Sequence, residues 1–164
     1  MPAAPGVTIR AARAEDCALI KAFILELAEY ERLAHEVVTT EEALRATLFG
    51  ERPAAEVLIA EVEGEAAAFA LFFHSYSTFL ARPGLYLEDL FVRPAHRKLG
   101  IGAAMMQRLA QVAVERGCGR FEWSVLDWNE PALEFYRRLG AEPMAEWTVQ
   151  RLTGDALARL ASGN

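Results

Sequence analysis

Apolar residues recur at Ile20, Phe23, Ile24 and Leu27, the i, i+3, i+4, i+7 spacing that places them on one stripe of a helix from Glu15 to Leu33. Tyr30 and Glu31 fall in its last turn. Thr39 and Glu42 have the spacing of a capping box, which predicts a second helix from Thr39 to about Phe49. Short apolar runs at Val7–Ala11, Val57–Val62, Ala66–Ser75, Leu85–Val92 and Phe121–Val125 read as strands. Leu85–Val92 is the densest of these and is expected to be a central strand, with Pro83 and Gly84 stopping the chain before it and Pro94 after it. Ile101, Met105, Leu109 and Val112 make one face of a helix between Gly100 and Arg116, closed by Gly117 as a left-handed cap. Asn129 can cap a short helix from Pro131 to Arg138, ended by Gly140. A last strand around Trp147–Leu152 and a short helix complete the pattern.

Strands joined by the tight connection Glu63, Gly64, Glu65 imply an antiparallel meander, whereas the later strand–helix–strand units need a crossover and hence a parallel pair. The expected fold is therefore α/β in the mixed sense, a mostly antiparallel sheet with one parallel pair and helices on its faces. Nothing repeats and no linker divides the sequence, so 1–164 reads as one domain. In such a sheet the ligand crevice lies at the carboxyl ends of parallel neighbours.

Composition narrows the chemistry. Seventeen Lys and Arg against 23 Asp and Glu leave a net charge of -6, which repels phosphate backbones and anionic membranes and argues against nucleic acid as a partner. Cys17 and Cys118 stand far apart without a CxxC pair, Met1–Gly6 lacks a leader's basic start, and the longest apolar run, Ala66–Phe73, is too short to cross a bilayer. The expectation is a cytoplasmic protein with no membrane partner. His35, His74 and His96 lack metal-ligand spacing, so no metal is expected.

The run Arg97, Lys98, Leu99, Gly100, Ile101, Gly102 follows a strand and opens a helix. Two glycines let a ligand approach the backbone, and the free N–H groups of a first helical turn favour a pyrophosphate; the same glycines also serve mere close packing. No GxxxxGK[ST] loop and no GxSxG elbow competes with it.

With Leu85-Tyr86-Leu87-Glu88-Asp89 before it and Trp128-Asn129-Glu130-Pro131 and Phe135-Tyr136 after it, this loop resembles the acetyl-coenzyme A site of the GNAT N-acetyltransferases, and within them the diamine (spermidine/spermine) branch. Cys17, Glu26-Leu27-Ala28 and Tyr30-Glu31 extend the resemblance over nearly the whole chain. It implies a GNAT-like fold, acetyl-coenzyme A as cosubstrate, a small amine acceptor and a homodimer. It further implies that the pantetheine arm pairs with Leu90, Phe91 and Val92 as an added strand would. The pyrophosphate falls to Arg97, Lys98, Leu99, Gly100, Ile101, Gly102 and Ala103, with Asn129, Pro131 and Ala132 flanking the arm.

An amine holds its proton up to a pKa near ~10, so a base is required before it can attack a thioester. Glu88, inside an apolar strand, is expected to be desolvated and so to accept that proton through a water, while Asp89 is expected on the opposite side of the strand. A salt-bridged strand residue is the other reading of Glu88. Tyr136 matches the family's general acid, which protonates the departing thiolate; its periodicity alone fits a half-buried core aromatic. Tyr30, Glu31 and Glu88, with Glu146 as a further match, correspond to the amine site, where carboxylates and aromatic faces hold a cation. The segment Tyr76, Ser77, Thr78, Phe79 carries no acid where the polyamine enzymes have an aspartate, so a lysine-like or thialysine-like acceptor stands beside a polyamine. A protein lysine or N-terminus as acceptor, and a non-catalytic coenzyme A sensor, remain as alternatives.

Overall fold

A computed structural model of the chain describes residues 6–163, so most of the Met1–Gly6 reading and the outermost ends of the expected domain lie outside the described residues. The chain divides into two compact units with the boundary between Leu126 and Asp127.

The first unit holds a five-stranded sheet: β1 (Val7–Ala11), β2 (Glu56–Val62), β3 (Glu65–Ser77), β4 (Arg82–Val92) and β5 (Arg120–Trp123) lie side by side in that order. All neighbours are antiparallel except β4 and β5, which are parallel, as the expected meander and crossover require. The strand expected to be central is the fourth of the five. It also starts earlier than expected, running through Pro83 and Gly84, because Tyr76 and Ser75 pair with them across the ladder.

Helices α1 (Cys17–Tyr30) and α2 (Glu41–Leu48) cover one face. Ile20, Phe23 and Leu27, the expected stripe, pack with Leu44, Leu48, Val57, Ile59, Phe69 and Phe91 in one buried cluster. Phe23 stacks on Phe69 at 5.0 Å with planes 12° apart. The cap of α2 is Thr40 and not Thr39: its hydroxyl accepts from the Ala43 N–H at 3.1 Å, three residues on, where an N-cap oxygen reaches. Helix α3 (Ile101–Glu115) touches β3 and β4 and buries Ile101, Met105, Leu109 and Val112; Gly117 after it has φ 73°. Covered on both sides, β3 buries Ala67 to Ala70 consecutively rather than alternately.

The second unit contains α4 (Glu130–Arg138) and α5 (Gly154–Ser162). Asn129 caps α4 as expected, accepting from the Ala132 N–H, and Gly140 follows at φ 91°. The strand expected at Trp147–Leu152 is not formed among the described residues. Alternation supplies a strand's side chains but not the hydrogen-bonding neighbour that makes it one.

Candidate active site

The site in the first unit is built around an irregularity in β4. Asp89 pairs with Leu71 and Leu87 with Phe72, so Glu88 is an extra residue without a partner on β3. Such a bulge bends the strand and breaks the two-residue alternation. Tyr86, paired with Phe73, and Asp89, paired with Leu71, therefore share the sheet face of Phe69 and Phe91, the face that α1 covers. Asp89 therefore lies on the α1-covered face, a placement an unbroken strand would not give it.

Contrary to the desolvation expected of it, Glu88 is exposed, whereas Asp89 is half-buried. Burial, then the neighbouring charges of Glu88 and Glu31, push the Asp89 carboxyl up to about 7. Glu31, the residue that caps the C-terminus of α1, is pushed up as well, first by burial and then by Glu88. Glu31, Glu88 and Asp89 thus feel one another's charge where α1 ends, after Tyr30 at the last position of that helix. Asp89 was missed at the sequence level. The available signal was two consecutive acids inside an apolar strand.

Beyond the bulge no described strand pairs with β4 on its β5 side, which leaves an open edge there. Strand β5 pairs with it only from Gly84 to Leu87. The Arg93 N–H donates to the Ala67 oxygen at 2.9 Å, and in an antiparallel ladder every second residue makes such bonds, so Phe91 and Asp89 also bond toward β3. Leu90 and Val92 consequently turn their N–H and C=O groups to the open side. An extended chain could pair there as a strand does.

The loop expected to hold a pyrophosphate follows at once. A short turn, Pro94–His96, leads to Arg97, Lys98 at φ 66°, Leu99, and Gly100 at φ 76°. Gly100 is the N-cap of α3, and no side chain caps that helix, so the N–H groups of Ile101, Gly102 and Ala103 face outward with the positive end of the helix dipole. A Cβ built on Gly100 meets nothing within 4 Å, which is the open space an anion needs to approach the backbone. The Arg97 side chain folds back: its Nε–H donates to the Val92 oxygen at 3.0 Å, and its guanidinium lies 5.3 Å from the Tyr30 ring centre and 5.6 Å from that of Phe91. The structure thus brings Tyr30, Glu31, Glu88, Leu90, Phe91, Val92 and the 97–103 loop into one unit.

The remaining expected residues belong to the second unit. Asn129, Pro131 and Ala132 form the first turn of α4, Tyr136 lies on that helix with its ring 5.4 Å from Phe135, and the exposed Glu146 follows in irregular chain. Among the described residues no group of His, Cys, Asp and Glu could hold a metal, and no helix is long and apolar enough to cross a membrane.

Comparison with known proteins gives the family. The model of the Acetyltransferase (GNAT) family matches residues 22–141. The chain is 42% identical to a thialysine N-epsilon-acetyltransferase of Bos taurus over 94% of its own length and 97% of the relative's. It is 34% identical to the L-ornithine N5-acetyltransferase NATA1 of Arabidopsis thaliana, over 91% of this chain and 85% of that one. Among solved structures it resembles an integron cassette protein from the mobile metagenome of V. cholerae, with a TM-score of 0.79, 27% identity, and coverage of 95% and 98% of the two chains.

Proposed function

This chain belongs to the GNAT acetyltransferase family, and from that premise we propose that it carries the acetyl group of acetyl-coenzyme A to the side-chain amine of a lysine-like amino acid. Acetyl transfer to a small amine is its reaction. The observation that carries the finer reading is the meeting of Glu31, Glu88 and Asp89 beside the open edge of β4.

In this reading the arm of the coenzyme lies along Leu90 and Val92, its pyrophosphate meets the amides of Ile101, Gly102 and Ala103, and Arg97 and Lys98 add positive charge. The protonated amine is drawn to the three carboxylates and to the face of Tyr30. Asp89 takes its proton: a carboxyl near 7 is half ionised at neutral pH, where a base is most effective. Exposed Glu88 stands at the water side and passes the proton on. The neutral amine then forms its bond to the thioester carbonyl carbon as the carbon–sulfur bond breaks; Tyr136 protonates the leaving thiolate, and the nitrogen gives up its extra proton to solvent, from which Tyr136 is reprotonated. Asn129, Pro131, Ala132 and Glu146 keep the roles the resemblance implies for them, and the reading of 1–164 as one domain is supported by a family match that runs across the unit boundary, from 22 to 141.

Two features support an amino acid over a polyamine. Both relatives described above carry, in their names, the side-chain amine of a basic amino acid as acceptor. The β3–β4 turn at Thr78 and Phe79 offers no carboxylate to a distant second amine. We also place the protein in the cytoplasm, consistent with its free cysteines Cys17 and Cys118, and as a homodimer, consistent with exposed Met144, Trp147, Val149 and Leu160. The test is thiol release from acetyl-coenzyme A with thialysine, lysine, ornithine and spermidine in parallel. Higher kcat/KM for thialysine or ornithine than for spermidine is expected, and the opposite order overturns the choice of acceptor.

A further inference from the structure

Arg97 touches both halves of the proposed site. Its Nε–H fills the Val92 carbonyl, one of the acceptors on the open edge of β4. Its guanidinium lies over the Tyr30 ring at 5.3 Å, on an aromatic face that a protonated amine would use. An added strand donating to Val92 and a cation stacked on Tyr30 each need a position that this one side chain holds.

We propose that Arg97 is a stand-in for both substrates, so that coenzyme and amine bind cooperatively because the coenzyme draws its guanidinium away. This rests on the proposed function above. The pyrophosphate would sit on amides only four to six residues along the chain, at Ile101 to Ala103. It offers Arg97 an anionic acceptor that a guanidinium can grip in bidentate fashion, where the Val92 carbonyl offers only a neutral one. Once the guanidinium turns to the anion, the Val92 oxygen is released to the pantetheine arm. The Tyr30 face is released to the ammonium in the same movement, and a like charge leaves the amine site. Arg97 is exposed, so its movement disturbs no packing. Because coupling is reciprocal, the amine must also tighten the coenzyme by the same factor.

The experiment is calorimetric titration of thialysine into the full chain, with and without saturating desulfo-coenzyme A, which lacks the reactive sulfur. For the unaltered protein the thialysine Kd is expected to fall by at least ~5-fold when desulfo-coenzyme A is present. For Arg97→Ala the two Kd values should coincide, both near the tighter value, since the guanidinium no longer lies over the Tyr30 ring. Equal Kd values in the unaltered protein, or the same ratio in Arg97→Ala, overturn the proposal. A second readout is a crystal structure with desulfo-coenzyme A: the 3.0 Å contact of Arg97 Nε with the Val92 oxygen should be broken, and a contact that persists overturns the proposal too. If desulfo-coenzyme A does not bind at all, the proposed function falls with it. If both ligands bind and acetyl transfer proceeds without coupling, only the stand-in role fails.

Discussion

Asp89 stands opposite Leu71 in the β3–β4 ladder, one step out of phase with the residues before it, and that single displacement places its carboxyl in the α1-covered side of the sheet beside Glu31 and Glu88. The consequence is an acid whose proton is held up to about 7. In the proposed reaction the ionised form is the base, so kcat/KM should rise with pH through about 7 and then level. Asp89→Asn should remove this limb and lower kcat/KM by ~100-fold or more. A pH–rate profile of the two proteins checks both.

The same group makes a stability prediction of opposite sign. The folded chain holds the Asp89 proton more tightly than the unfolded chain, whose carboxyl keeps its ordinary value of 3.8. Folding is therefore weakened as pH rises from about 4 to about 7 and stays weakened above. Asp89→Asn should melt higher than the unaltered protein at pH 8, with the gap closing toward pH 4. Thermal melts of both proteins over that range measure it.

How much of this was legible beforehand depends on the kind of interaction. The α1 stripe of Ile20, Phe23 and Leu27, and the Gly117 and Asn129 caps, depend on neighbours three or four residues away, and the structure has them where spacing places them. The Thr40 cap was missed by one residue because two adjacent threonines offer the same chemistry. The bulge at Glu88 was not legible, since it is a property of pairing with β3 and leaves no mark on the alternation of β4 itself. Burial of Asp89 and exposure of Glu88 follow from that pairing, which the alternation of β4 does not carry. Trp147–Leu152 failed for a related reason: a strand requires an edge elsewhere in the chain.

At the loop, Gly100 has φ 76° and an open space where a side chain would project. Gly100→Ala should cost about 1 kcal/mol of stability through backbone strain alone. Gly100→Asp should in addition set a negative charge against the pyrophosphate and raise the coenzyme Kd by at least ~10-fold. Calorimetric titration with coenzyme A beside urea unfolding separates the two effects; unchanged affinity in Gly100→Asp rejects the loop as the anion site.

Tyr136→Phe should lower kcat by ~10-fold or more while the coenzyme Kd stays within twofold, because the hydroxyl is asked to act only on the leaving thiolate. Turnover equal to that of the unaltered protein would remove Tyr136 from the mechanism.

Phe23 is fully buried, stacked on Phe69, and carries the Arg93 guanidinium 4.4 Å from its ring centre. Arg93 in turn is bound to Glu26 at 2.9 Å and to the Ala66 oxygen at 3.0 Å, so the ring anchors α1 to the sheet at the level of the site. Phe23→Ala should cost about 3–5 kcal/mol, read from the urea midpoint.

The central claim is that the open edge of β4 receives the coenzyme and that the three acids lie next to its sulfur. A crystal structure of the complex with coenzyme A tests this most directly. The pantetheine arm is expected hydrogen-bonded to Leu90 and Val92, the pyrophosphate on the amides of Ile101 to Ala103, and the sulfur adjacent to Asp89. A coenzyme bound along any other surface, or with its sulfur turned away from Asp89, would contradict it.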